Sequence, residues 1–208
     1  MIRLLLATGI GVVVSLVGTR LLMTALTRRH IGQPIHEDVP EGHTVKAGTP
    51  TMGGVAIVAG CIAGYLVSNF YDGVFTWTGL ITVAAITGAG LVGFLDDWLK
   101  IVRERNLGLN KRAKMVGLLT VALGFALAML WLTNVHTSIS FTQWNDLGLE
   151  VGRAVWALWA VLLILGTSNA VNLTDGLDGL AAGSGALVFS AYVFVGYWIF
   201  RHPGYGIS

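Results

Sequence analysis

MVGLLTVALGFALAMLWLT, residues Met115–Thr133, decides the fold. It runs nineteen residues without Asp, Glu, Lys or Arg. A hydrocarbon core about 30 Å thick needs about 20 apolar residues in a helix. Lys111, Arg112 and Lys114 stand just before the run, so charge is held at one edge of it. Five more stretches outward from it have the same character: Ile2–Leu26, Met52–Phe70, Trp77–Leu95, Ala154–Val171 and Leu180–Phe200. Of the six, only the first holds charges, Arg3 near its start and Arg20 near its end, where a long side chain can snorkel to the interface. It is long for a signal peptide and has no clear small-residue cleavage site, so it reads as a span.

Composition agrees. The 208 residues are 54% hydrophobic and 12% charged, whereas a soluble domain carries about 25% charge. Mean hydropathy is +0.72. Too little charged sequence remains to cover six such helices in water. The reading is an all-α, polytopic membrane protein with six transmembrane helices in one membrane domain over residues 1–208. A net charge of +2 gives no bulk attraction to nucleic acid. The lone Cys61 makes no internal disulfide and supports no cysteine-based metal site. His30, His36, His43, His136 and His202 are scattered and match no helical metal motif, so they read as solvated loop residues.

Basic residues alternate between the two sides. The loops after the first and third spans hold Arg28, Arg29, Lys46, Lys100, Arg103, Arg105, Lys111, Arg112 and Lys114, against Arg3, Arg153 and Arg201 on the other side. The positive-inside rule then puts the N-terminus outside, and the loops after spans 1, 3 and 5 in the cytoplasm. Trp77, Trp131 and Trp198 lie near span ends, where interfacial belts form. His136–Phe141 alternates enough to allow a short strand in an outer loop. Gly60 and Gly64 are a small-xxx-small helix contact, read as packing.

The unusual polar sequence falls on the cytoplasmic side, in three segments. Asp96 and Asp97 end the third span. A helix C-terminus carries partial negative charge, so something must compensate two acids there. A divalent cation such as Mg²⁺ suits hard oxygen ligands; the plainer alternative is an answer from Lys100, Arg103 or Lys114. Next, Asn172, Asp175 and Asp178 lie three apart and share roughly one face if the segment is helical. Gly176 and Gly179 beside them allow close backbone approach to a ligand; a tight turn with capping acids is the plainer alternative. Finally, Lys46, Thr49, Thr51, Gly53 and Gly54 lead into the second span. Hydroxyls, glycines and a lysine before a helix N-terminus suit an anion, and a capping Thr with a Pro-Gly turn is the alternative. Carboxylates, lysines and a glycine-rich anion cradle at one membrane face suit phosphoryl transfer.

Three motifs carry a resemblance: NAVNLTDGLDGLA (Asn169–Ala181), GTPTMGG (Gly48–Gly54) and FLDDWLK (Phe94–Lys100). In order, spacing and side they resemble the phospho-N-acetylmuramoyl-pentapeptide transferase family, within the polyprenyl-phosphate sugar-1-phosphate transferase superfamily. The resemblance spans essentially the whole chain. It implies transfer from UDP-N-acetylmuramoyl-pentapeptide to undecaprenyl phosphate, giving lipid I and UMP, with Mg²⁺ required, at the cytoplasmic face of a bacterial inner membrane. Asp96 and Asp97 look like the essential acidic pair. Lys46, Thr51 and Lys114 look like substrate contacts, with Lys111 the weaker match. Asn172 and Asp175 look like nucleotide- or metal-site residues, supported by Asp178, and the implied metal ligands are Asp97 and Asn172. A homodimer is also implied. The family fold has ten helices, and its later half supplies a further metal-binding Asp and a His-rich loop. The expectation is therefore a portion of that fold, inactive by itself. An N-acetylhexosamine-1-phosphate transferase on the same carrier, an anion transporter and a non-catalytic fragment are the alternatives.

Overall fold

The computed structural model describes residues 2–28, 52–103, 108–139, 149–177 and 179–201. Their order is α1 (Ile2–Arg28), α2 (Gly53–Asp72), α3 (Trp77–Val102), α4 (Lys111–Leu132), β1 (Ser138–Ile139), β2 (Leu149–Glu150), α5 (Gly152–Thr174) and α6 (Leu180–Arg201). Among the described residues, six helices are long and apolar enough to cross a membrane. The protein is an all-α, multi-pass membrane protein, as its sequence reads. The two short strands pair antiparallel, Ser138 with Glu150 and Ile139 with Leu149, so the alternating segment holds a minimal strand at Ser138–Ile139.

Backbone contacts divide the chain into two compact units, Met1–Val161 and Leu162–Ser208. In the first, α1 packs on α2, α2 on α3, and α3 on α4. All three pairs run antiparallel, because the contacts step in opposite directions along the two helices. On α1 and α2, Gly18 approaches Ala56, Gly11 approaches Gly60, and Ala7 approaches Gly64. On α3 and α4, Gly88 meets Val121 and Gly117 meets Val92. One end of this unit therefore gathers the C-terminus of α1, the start of α2, the end of α3 and the start of α4.

The α1–α2 seam shows why small residues recur there. A Cβ on Gly60 would run into Ser15 Oγ and lie 2.6 Å from the Gly11 carbonyl oxygen. A Cβ on Gly64 would lie 2.5 Å from the Ala7 carbonyl oxygen. Lipid offers no hydrophobic drive between helices, so association rests on such close backbone packing. At the far end, Arg3 Nη2 donates to Asn69 Oδ1 at 2.8 Å and ties the start of α1 to the end of α2.

Few side chains are sequestered from the surroundings. Ala122, Ala126, Leu118 and Leu130 of α4 are buried. By contrast, Leu5, Phe70, Trp131, Leu187 and Phe194 are all more than 70% exposed. An apolar surface this broad suits acyl chains rather than water. Polar ends are closed locally. Thr76 caps α3, accepting from the Gly79 N–H at 3.2 Å, and Arg153 Nη2 donates to the Leu130 carbonyl near the end of α4 at 2.8 Å.

Candidate active site

Asp96 and Asp97 sit in the last turns of α3, which continues past them to Val102. A D-D-x-x-K pattern on a helix places the lysine one turn further along the same face. Lys100 uses that placement twice: its Nζ lies 2.9 Å from Asp96 Oδ2 and 2.9 Å from Asp97 Oδ1. Lys114, from the first turn of α4, brings its Nζ to 3.7 Å from the same Asp96 Oδ2. The other Asp96 oxygen, Oδ1, accepts the Leu109 backbone N–H at 2.9 Å. Of the three cations that could answer the acidic pair, Lys100 and Lys114 do so; among the described residues Arg103 makes no ion pair with either acid.

The two acids therefore differ. Asp96 is buried, with its side chain 12% exposed and both oxygens engaged. A charged group taken from water needs this number of partners to be tolerated. Asp97 is 30% exposed and shares only Lys100; among the described residues its Oδ2 takes no hydrogen bond or ion pair. The lysines are as apt electrostatically as the acids. Lys111, Arg112 and Lys114 crowd the first turn of α4, where the helix dipole disfavours cations. An anion is needed at that end. Asp96 supplies part of it.

Asn110 fixes where α4 begins: its side-chain oxygen accepts the Ala113 N–H at 2.6 Å. At the start of α2, Met52 holds a left-handed backbone with φ 72° and ψ 19°, a conformation that costs a non-glycine residue about 1 kcal/mol or more. Among the described residues, a Cβ on Gly53 or Gly54 would meet nothing within 4 Å. Lys46 and Thr51, expected beside it, lie outside the described residues, as does Asp178.

The second unit carries the remaining polar motif. The Asn169 side chain is spent within α5, donating to the Leu165 carbonyl at 2.8 Å. The Asp175 N–H reaches the Val171 carbonyl at 3.0 Å, which keeps Asn172 and Asp175 one turn apart, and both are exposed. The helix stops at Thr174, however, so the helical face that holds Asn172 ends there. Glycine explains the stop. Gly176 lowers helix propensity, and Gly179 takes φ 79°, which turns the chain into α6.

The sequence reading named Lys100 as a cation that could answer the acids, and Lys100 is the hub of the cluster. The Leu109 N–H was not foreseen, since a backbone donor has no side-chain signature; Gly108, two residues before the capping Asn110, is the hint of it. For a divalent cation the donor set fits in part. Asp97 Oδ2 is a ligand of suitable hardness, but among the described residues no three His, Cys, Asp or Glu groups converge.

Helices and side-chain chemistry thus define a multi-pass membrane protein with a carboxylate–lysine cluster at one end of its first unit. Comparison with known families makes the class specific. The family described as Glycosyl transferase family 4 matches residues 79–205, more than half of the chain, and the chain belongs to that family. Residues 46–58 also match the phospho-N-acetylmuramoyl-pentapeptide-transferase signature 1. Among curated proteins, the phospho-N-acetylmuramoyl-pentapeptide-transferase of Streptomyces griseus is 44% identical over 206 residues, covering 96% of this chain and 57% of that protein. The same-named protein of Frankia casuarinae is 45% identical over 203 residues, covering 94% of this chain and 57% of its own length. That of Corynebacterium efficiens is 41% identical over 217 residues, with 96% and 59% covered. The chain thus spans a little under three fifths of the length of these relatives.

Proposed function

We propose that this chain carries part of the active site of a transferase that moves phospho-N-acetylmuramoyl-pentapeptide from UDP to undecaprenyl phosphate, giving lipid I and UMP in peptidoglycan synthesis. The observation that carries the proposal is the signature match at residues 46–58, which runs into α2 at the end of the bundle that holds Asp96, Asp97, Lys100 and Lys114. That signature favours the muramoyl donor over an N-acetylhexosamine donor.

In this reading an oxygen of the lipid phosphate attacks the sugar-bearing phosphorus of the donor. A new P–O bond forms, the bond to UMP breaks, and UMP leaves with the electron pair. Charge is the main obstacle, since both partners are anionic. Lys100 and Lys114 attract and orient phosphate oxygens. Among the described residues Asp97 is the acid with an unengaged oxygen, which suits it to face the substrate phosphate or its counterion, while Asp96 holds the lysines in place. Asn172 and Asp175 serve the nucleotide, and Lys46 and Thr51 the donor phosphates. Mg²⁺ is the proposed cofactor, with Asp97 as one ligand; when bound it would neutralise diphosphate charge. The positive-inside count supports a cytoplasmic position for this end of the first unit, in the inner membrane that the proposed reaction requires.

The test uses the chain completed to the length of its relatives and reconstituted with undecaprenyl phosphate. Radiolabel from UDP-N-acetylmuramoyl-pentapeptide should enter the lipid fraction with stoichiometric UMP, and UDP-N-acetylglucosamine should neither donate nor compete. Labelling from the hexosamine donor alone would reject the proposal.

A further inference from the structure

We infer that the Gly108–Leu109 peptide is a positioning element for Asp96, and that residue 108 must lack a side chain for that peptide to reach it. The Leu109 N–H donates to Asp96 Oδ1 at 2.9 Å. A Cβ on Gly108 would lie 2.5 Å from the Asp96 carbonyl oxygen, 2.5 Å from Oδ1 and 2.9 Å from Cγ. Real Cβ atoms do not come so close, and one of the obstacles is α3 backbone, which cannot swing aside. Conformational freedom is not the reason for this glycine. Among the described residues the glycines with left-handed backbones are Gly73, Gly152 and Gly179, and Gly108 is not one of them. Another residue could adopt its backbone angles, but its side chain would have no room.

The next residue extends the argument. Asn110 caps α4, and Lys114 one turn later returns to Asp96 Oδ2 at 3.7 Å. The chain thus makes a closed circuit: an α3 carboxylate, the loop peptide bonded to it, the α4 cap, and an α4 lysine that faces the same carboxylate. A neutral backbone donor takes Oδ1, which leaves Oδ2 turned to both lysines. This sets where Lys100 and Lys114 stand relative to Asp97. Asp96 and Gly108 therefore act through the neighbours they place.

The kinetic consequence rests on the proposed transferase function; the structural tie does not. In the protein completed to its relatives' length, Gly108→Ala should push the loop off Asp96. Misplacement by about 1 Å costs on the order of 100-fold in rate, so kcat should fall about 10- to 100-fold while KM for both substrates stays within about twofold. Gly124→Ala, in α4 where a Cβ meets nothing within 4 Å, is the matched control and should keep kcat. Amide exchange supplies a readout independent of turnover. The Leu109 N–H should exchange about tenfold or more slowly in the unaltered protein than in Asp96→Ala or Gly108→Ala. A fast-exchanging Leu109 amide in the unaltered protein, or a Gly108→Ala enzyme with normal kcat, would overturn the inference. Should Gly108→Ala fail to fold, the Asp96→Ala exchange comparison decides. If the unaltered protein transfers no sugar phosphate, the functional reading fails, while the exchange data still judge the tie.

Discussion

Replacing Lys100 with Met removes the one cation shared by both acids. The magnitude follows from the geometry. Lys100 Nζ is 2.9 Å from an oxygen of each carboxylate, and its side chain is 28% exposed. The Asp96 contact is the more buried and is worth about 1.5–3 kcal/mol as a hydrogen bond to a charged group. The Asp97 contact is more exposed and adds about 0.2–1 kcal/mol. Lys114 at 3.7 Å and the Leu109 N–H remain on Asp96 and recover part of the loss. The net expectation is about 2 kcal/mol less stable, close to 30-fold in the unfolding equilibrium. Denaturant titration of the reconstituted protein, followed by tryptophan fluorescence, measures it. A double variant with Asp97→Asn tests the mechanism, since it also removes like-charge repulsion at a helix C-terminus and should regain about 0.5–1 kcal/mol. Stability within about 0.5 kcal/mol of the parent, with no recovery in the double variant, would refute the reasoning.

Two other variants test the scaffold. Asn110→Ala removes the α4 cap and should cost about 1 kcal/mol by the same titration, with Asn110→Asp near neutral. Gly60→Val should force α1 and α2 apart, because its Cβ would strike Ser15 and the Gly11 carbonyl; overpacking of about 1–3 kcal/mol is expected, measured by the same titration.

Helices were legible in this sequence because apolar runs of bilayer length leave no other solution. Their ends were less so. Hydrocarbon-spanning stretches were read to Leu95 and from Met115, whereas α3 runs to Val102 and α4 starts at Lys111. Charge ends a lipid-facing stretch but not a helix, which here continues on i,i+3 and i,i+4 ion pairs and a side-chain cap. The Asp96–Lys100 contact was readable from its spacing. Leu109 was not, since its contribution is a main-chain N–H that reaches back thirteen residues. In the other motif, the three-residue spacing of Asn172, Asp175 and Asp178 suggested a helical face, and the glycine turn after Thr174 ends it. Of the paired strands, Ser138–Ile139 was legible from the alternating segment around it, and its two-residue partner Leu149–Glu150 was not read from the sequence.

The central claim is that the α3 acid left with an unengaged oxygen acts on the reacting phosphates. Asp97→Asn in the protein completed to its relatives' length tests it most directly. Asn keeps the shape and the Lys100 contact, so unfolding stability should change by less than about 1 kcal/mol, while transfer of labelled phospho-muramoyl-pentapeptide to undecaprenyl phosphate should fall at least about 100-fold. Transfer at the parent rate by the folded variant would contradict the account.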